Sequence, residues 1–374
     1  MIFDNTKILT IPEGAVNSIA INGNTIWTRP HIYGVSWNKT GSILTRTGDT
    51  INFEEPTAGT GTSQGSSPFN NLYPWNQITK VVDGNNTLVK IPKFWFKWTN
   101  TSNALTLQIC DKPINGFYVS PLHADRSDGK GERDVAYVGR YRCAATTYYS
   151  KTGLAPATSM TIDTARTKIA ALGTGYYQSD FAAFWTIRML YLVEFANWDA
   201  YEVIPRPNAP TYANIKSGYT DSMTYHTGTS ANGYSFQYRW IEDPWAGMLE
   251  WCDGIRFANN NVYCIMNPSQ FSNTANGTNV CDLGAANTVL EGYIKDWKVS
   301  TIPGFEWVLW PDGIVTTEQA NSMPDWYFKT ASGNAMYVGG SRTINYRHGP
   351  FFMYCDFTNT QTSEFIAARL MKLP

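Results

Sequence analysis

Hydrophobic and polar positions along the chain follow two periods, and the switches between them divide it. Residues 7–28, KILTIPEGAVNSIAINGNTIWT, set Val16, Ser18 and Ala20 against Asn17, Ile19 and Ile21, with Pro12-Glu13-Gly14 and Asn22-Gly23 as turns. Asn-Gly between alternating runs signals a two-residue hairpin. The pattern predicts a strand–turn–strand–turn–strand meander. Such a unit is too small to stand alone, so it must pack on a neighbour, another subunit or a larger assembly. Further strands are expected in TLVKIPKFWFKW (87–98), ALTLQI (104–109), GFYVSP (116–121) and DVAYVGRYRC (134–143). In the first of these, Phe94 and Phe96 alternate with Trp95 and Lys97, as on a half-buried strand.

Two stretches switch to a helical period. One covers 163–172, DTARTKIAAL, with Thr161 or Asp163 as its cap and Gly173 as its stop. The other covers 180–198 with Ser179 as its cap. There Phe181, Phe184, Trp185, Arg188, Tyr191, Leu192, Phe195 and Trp198 recur at steps of three and four. A helix apolar on most sides is wrapped by sheet or loops. Past residue 200 the pattern is short strands and long aromatic loops, including WIEDPWAGMLEWCDGI (240–255) and GFEWVLWPDG (304–313). Strands, then two helices, then strands and loops predict an α+β fold in which one face of an antiparallel sheet is covered. No internal repeat is present.

Composition narrows the function. The 374 residues are 16% charged and 14% aromatic, with 14 Trp and 22 Tyr. Low charge with many Tyr, Trp, Asn, Thr and Gly suits a β-rich recognition surface, because Tyr and Trp give rigid contact area. The net charge is −1 and no Lys/Arg block occurs, which argues against a nucleic-acid partner. The six cysteines form no C-x-x-C pair and read as free thiols. A Cys252–Cys264 or Cys264–Cys281 bridge stays open in an oxidising setting. The most apolar segment, 181–198, carries Arg188 and Glu194, so a buried helix is expected rather than a membrane span. No signal-peptide pattern opens the chain, so it is expected to be made in a cytoplasm and, if it acts outside, to leave by a route such as lysis. The Gly/Ser/Thr-rich stretch 54–72 reads as a mobile or functional loop. In HADRSDGKGERD (123–134), Asp125, Asp128, Gly129 and Asp134 miss the calcium-loop spacing, so no metal is expected.

The C-terminal run 337–374 contains a stretch that follows neither period. It mixes Arg342, Thr343, Ile344, Asn345, Tyr346, Arg347, His348, Phe352, Tyr354, Asp356, Phe357 and Thr358, and Arg, Tyr and Phe are the types enriched at binding hot spots. These twelve are the expected ligand-binding residues. If 351–357 is a strand, Phe351 and Met353 point inward and Phe352, Tyr354 and Asp356 outward. An enzyme is not expected. The four histidines lack ligand spacing, no G-x-S-x-G elbow occurs, and Glu250 and Asp253 on a strand would face opposite ways.

DTARTKIAAL…FWTIRMLYLVEFANW, WAGMLEWCDGI, GFEWVLWPDG and GGSR…HGPFF…EFIAARL occur in that order. Together they resemble the variable proteins of diversity-generating retroelements and related phage receptor-binding proteins. The stretch IYGVSWNKTGS…SPFNNLYPW (32–75) is similar to gut-phage members. Gly247-Met248-Leu249-Glu250-Trp251 matches the family's strand after the helices. Gly339-Gly340-Ser341-Arg342, His348-Gly349-Pro350-Phe351 and Ile366-Ala367-Ala368-Arg369-Leu370 match its closing motifs, with Arg342 and His348 where the family has Trp and Cys.

The resemblance implies a C-type lectin fold of the formylglycine-generating-enzyme type over 85–374. Before it come a connecting region, 31–84, and an attachment or oligomerisation meander, 1–30. It implies fixed Gly339, Gly340, Gly349, Phe351, Arg369 and Leu370 beneath a variable face. Mutagenesis of AAY codons cannot yield Lys, Glu, Gln, Met or Trp, and between Arg342 and Thr360 only Met353 belongs to that set. The implied protein is a phage tail homotrimer that contacts other tail proteins and recognises a bacterial surface protein or glycan, without cofactor or membrane insertion. The alternatives are a structural tail component and an enzyme of the same fold, which would need a copper-binding cysteine pair or a multi-histidine iron site.

Overall fold

Helix α1 (Ile162–Ala170) starts where the Thr161 hydroxyl accepts the Thr164 N–H. Helix α2 (Phe181–Phe195) starts at Asp180, whose carboxylate accepts the Ala183 N–H at 2.9 Å. The cap of α2 is therefore Asp180, one residue beyond the expected Ser179. All fifteen residues of α2 are buried. A single turn, α3 (Ala200–Val203), follows. The computed structural model describes residues 17–21, 24–205, 215–258, 261–273, 280–285, 291–317, 323–330, 334–340 and 348–374.

Strands dominate. The described residues hold twenty-six strands in six sheets against these three α-helices. The fold is essentially all-β, which corrects the expected α+β class. The reason lies in α2. A helix that is apolar on every side cannot form an outer layer with one wet face. It is sunk between sheets instead, against strands Leu105–Cys110 and Ile32–Trp37. Its rings meet Trp297, Trp307 and Trp245 at centroid distances of 5.1–5.8 Å. Its two charges have partners. Glu194 accepts from Ser67, Tyr238 and Arg239, and the Arg188 Nε donates to the Pro350 carbonyl at 2.7 Å.

Residues 31–84 are built into the body and do not form a separate connecting region. One five-stranded sheet runs Tyr118–Val119, Trp95–Asn100, Leu105–Cys110, Ile32–Trp37, Thr45–Gly48. A second runs Tyr176–Gln178, Leu370–Lys372, Val135–Gly139, Asn86–Pro92, Thr79–Asp83. The loop 54–72 is ordered: Gly59–Thr60 pairs in parallel with Gly228–Thr229, and Ser67 caps a turn of 3-10 helix at Pro68–Asn71. In the 123–134 loop, Arg133 pairs with Asp128 and Lys93 with Asp134. No helix among the described residues is long and apolar enough to cross a membrane. At the N-terminal end, Ser18–Ile21 and Asn24–Thr28 pair with each other as a two-stranded sheet, and Lys112 Nζ reaches back to the Thr28 carbonyl at 3.0 Å. The rest of the expected meander, through residue 16, lies outside the described residues.

The largest sheet carries the site. Its seven strands run in the order Leu309–Val315, Glu291–Val299, Trp326–Lys329, Met353–Cys355, Met336–Val338, Leu249–Cys252, Ile366–Ala367. Strand Met353–Cys355 lies parallel to Trp326–Lys329 and antiparallel to Met336–Val338, so the C-terminal run enters the middle of this sheet.

Candidate functional site

Alternation gives this sheet two unlike faces. On the inner face, Tyr327, Met353 and Val338 lie in register and are 0–7% exposed. The row runs on to Glu250, opposite Val338, and to Ala367 on the edge strand. On the outer face, Phe328, Tyr354, Tyr337 and Trp251 occupy successive opposed positions on four neighbouring strands. Their rings are 4.5, 5.2 and 6.0 Å apart, centroid to centroid, within the range of aromatic pairing. Exposure grades along the row. Phe328 and Tyr354 are half-buried, whereas Tyr337 and Trp251 are 3% and 1% exposed. Trp326, two residues before Phe328, and Phe357 are half-buried beside them.

Polar groups fix the row. The Tyr337 hydroxyl donates to Asp356 Oδ1 at 2.5 Å. Burial raises the Asp356 carboxyl above the usual range, and the Tyr337 hydroxyl partly offsets this. The Tyr354 phenol is pushed up to about 12 by burial, with the charges of Asp356 and Glu291 adding to it. The Asn334 and Ala335 N–H groups both donate to the Phe357 carbonyl at 3.2 Å.

Chain entry to this face is held from below. Asp325 is 1% exposed and its Oδ2 accepts the Phe351 N–H at 2.7 Å. Burial raises its carboxyl well above the ordinary value, while the Phe351 and Gly349 N–H groups favour the ionised form. A Cβ on Gly349 would strike this carboxylate, which explains the glycine. Arg188 holds the Pro350 carbonyl from α2, and the Tyr201 hydroxyl donates to the His348 carbonyl. On the other side, Gly340 has φ +68° and faces the His348 ring, so a side chain there would be both strained and blocked. The Gly339 carbonyl accepts the Ala246 N–H. Gly340 and His348, the two ends of the 341–347 segment, are thereby fixed to the body.

Beneath the far edge of the sheet sits Arg369. Its Nη2 and Nε donate to Glu250 at 2.8 and 3.0 Å, and its remaining donors reach the carbonyls of Gly139, Arg140, Glu242 and Asp243. Arg142 Nε lies 2.8 Å from the same Glu250. Two guanidinium groups hold the Glu250 carboxyl below its ordinary range against the cost of burial.

Set against the twelve expected ligand-binding residues, the outcome is mixed. Arg342, Thr343, Ile344, Asn345, Tyr346 and Arg347 lie outside the described residues. Tyr354, Asp356, Phe357 and Thr358 are half-buried on or beside the outer face. His348 and Phe352 are corrections: they are 7% and 1% exposed. Phe352 shares the outer side with Tyr354, as alternation predicts, and packs there with Trp251 and Tyr337; what differs from the expectation is its burial. Phe352 stacks on Tyr354 at 5.3 Å and is covered by the His348 ring at 4.2 Å. Phe351 and Met353 point inward, both 0% exposed. Sequence reasoning missed Trp326, Phe328 and Tyr337. The alternation in Trp326-Tyr327-Phe328-Lys329 was the available signal, but a four-residue run does not reveal its partner strands.

No family model and no curated protein matches the chain. Among the described residues, no group of three or more His, Cys, Asp and Glu side chains is placed to hold a metal ion. What the face offers chemically is contact: half-buried rings, a phenol and a half-buried carboxylate on a sheet.

Proposed function

We propose that this chain is a receptor-binding protein of a phage tail that recognises a bacterial surface receptor through the outer face of its seven-stranded sheet. The observation that carries the reading is the row Phe328–Tyr354–Tyr337–Trp251, half-buried at one end, beside a chain segment whose ends at Gly340 and His348 are anchored by buried groups. Rigid half-exposed aromatics lose little entropy on binding. The motif resemblance supports the tail setting and the variability of 342–347. The proposed contact residues are Trp326, Phe328, Tyr354, Asp356, Phe357 and Thr358, with Arg342–Arg347 next to them in the chain. The reading assigns no catalytic step.

The N-terminal hairpin, which pairs with no other sheet among the described residues, is proposed as the attachment and trimer element. Three linked copies would multiply a weak contact by avidity, on the order of 10²–10⁴. Light scattering at micromolar concentration checks this; a monomer counts against it. The decisive experiment compares adsorption to a panel of bacterial cells by the wild-type protein and by Phe328→Ala with Tyr354→Ala. Loss of adsorption in a folded double variant supports the site. Undiminished adsorption rejects it. If the wild type adsorbs to none of the hosts while remaining a component of purified particles, the protein is a structural tail part instead.

A further inference from the structure

The six cysteines are all free and all buried. Two bridges involving Cys264 are open on sequence alone, to Cys252 or to Cys281. Strand register separates them. Cys264 on Asn261–Ile265 stands directly opposite Cys281 on Val280–Ala285, next to the opposed pair Ile265 and Val280, in an antiparallel ladder. Directly opposed residues of such a ladder project to the same side with Cα atoms about 4.5–5.5 Å apart. Disulfides span Cα separations of about 4.4–6.8 Å, so side-chain rotation alone can close this pair. Cys252 belongs to the seven-stranded sheet, and the residue opposite Cys264 on its other flank is Ile255.

We propose that Cys264 and Cys281 form a redox-modified pair, free in a thiol-rich cytoplasm and joined as a cross-strand disulfide when the protein meets a small-molecule disulfide. Cys281 reacts first. It is 8% exposed against 1% for Cys264, and its strand is the edge of the three-stranded sheet. Its thiolate attacks one oxidant sulfur and expels a small thiolate. The Cys264 thiolate then attacks Cys281 Sγ in the mixed disulfide, forming the Sγ–Sγ bond and releasing the second small thiol. Two protein thiols lose two electrons and two protons, and the oxidant leaves as two thiols. Burial pushes the Cys281 thiol up to about 11, so closure is slow at neutral pH and faster in mild alkali.

The inference rests on strand register and does not depend on the receptor reading. Its test uses the full protein, purified reduced and then incubated with oxidised glutathione at about pH 8.5. The expected result is a loss of two thiols from the denatured count, a disulfide-linked peptide pair carrying Cys264 and Cys281 that separates when reductant is added, and a Tm rise of about 3–6 °C. Cys264→Ala stops at the mixed disulfide, with one thiol lost, a glutathione adduct on Cys281 and no cross-linked pair, whereas Cys252→Ala leaves the cross-link intact. In the wild type, an unchanged thiol count, a cross-link that maps to Cys252, or a lasting glutathione adduct on Cys281 would overturn the proposal. Peptide mapping of the wild type decides the matter even if a cysteine variant does not fold.

Discussion

The two faces of the seven-stranded sheet are made by the same strands and do opposite work. On the inner face Tyr327, Met353 and Val338 pack into the core around α2, and the row runs on to Glu250, which pairs with Arg369. On the outer face the neighbouring residues Phe328, Tyr354 and Tyr337 form a row that opens from buried to half-exposed. A shift of one residue along any of these strands exchanges a core position for a surface one. The division between stability and recognition therefore follows the pleat of the sheet, rather than separating one segment of chain from another. Met353 and Tyr354 are adjacent in sequence and belong to different faces.

The hardest way to break the inner face is to remove Arg369. Arg369→Ala leaves Glu250 buried with Arg142 as its remaining ion-pair partner and empties four carbonyl contacts, so a loss of about 3–5 kcal/mol is expected in a urea unfolding titration. An unchanged midpoint would mean that the ion pair is dispensable. Next comes Met353→Ala, which opens a void under α2 and should cost about 2–5 kcal/mol in the same titration.

Acid sharpens the contrast, because buried His123 and half-buried His226 lie in the body. His123 accepts from Ser120 at Nδ1 and donates from Nε2 to the Ile91 carbonyl, and burial lowers its pKa to about 4. His226 is lowered to about 4 by burial and by Arg239. With folded values below the unfolded value of about 6.5, the unfolded chain takes up these protons first. The stability contributed is complete above about pH 6.5 and is lost as pH falls toward 4, by about 1–3 kcal/mol for each histidine. Unfolding titrations at stepped pH check this, and His123→Gln should flatten part of the slope. The smallest expected effect is that of Tyr354→Ala on stability, about 1 kcal/mol, although the same change should abolish adsorption. A stability loss as large as that of Met353→Ala would erase the distinction between the faces.

Much of the local structure was legible. The Thr161 cap of α1, the places of α1 and α2, the pairing of the strands on either side of Asn22-Gly23 and the inward direction of Phe351 and Met353 all depend on residues within a few positions of one another. The candidate site was legible only in part. Tyr354, Asp356 and Phe357 could be picked from their types and position, but Phe328 and Tyr337 join them only because Trp326–Lys329 lies parallel to Met353–Cys355 and Met336–Val338 antiparallel to it. No local pattern states a strand's partner. The same limit explains Phe352, whose burial is decided by the His348 ring above it.

By itself, the sequence determined where the chain turns helical, where it turns back, and which rings cannot face water, because caps, periods and apolar area are properties of neighbouring residues. Only the tertiary structure decided that the sheets around the expected buried helix make the fold all-β rather than α+β, and that strand Met353–Cys355 runs through the middle of the largest sheet. Those outcomes arise from closing contacts between residues far apart in the chain, where packing overrides every local preference.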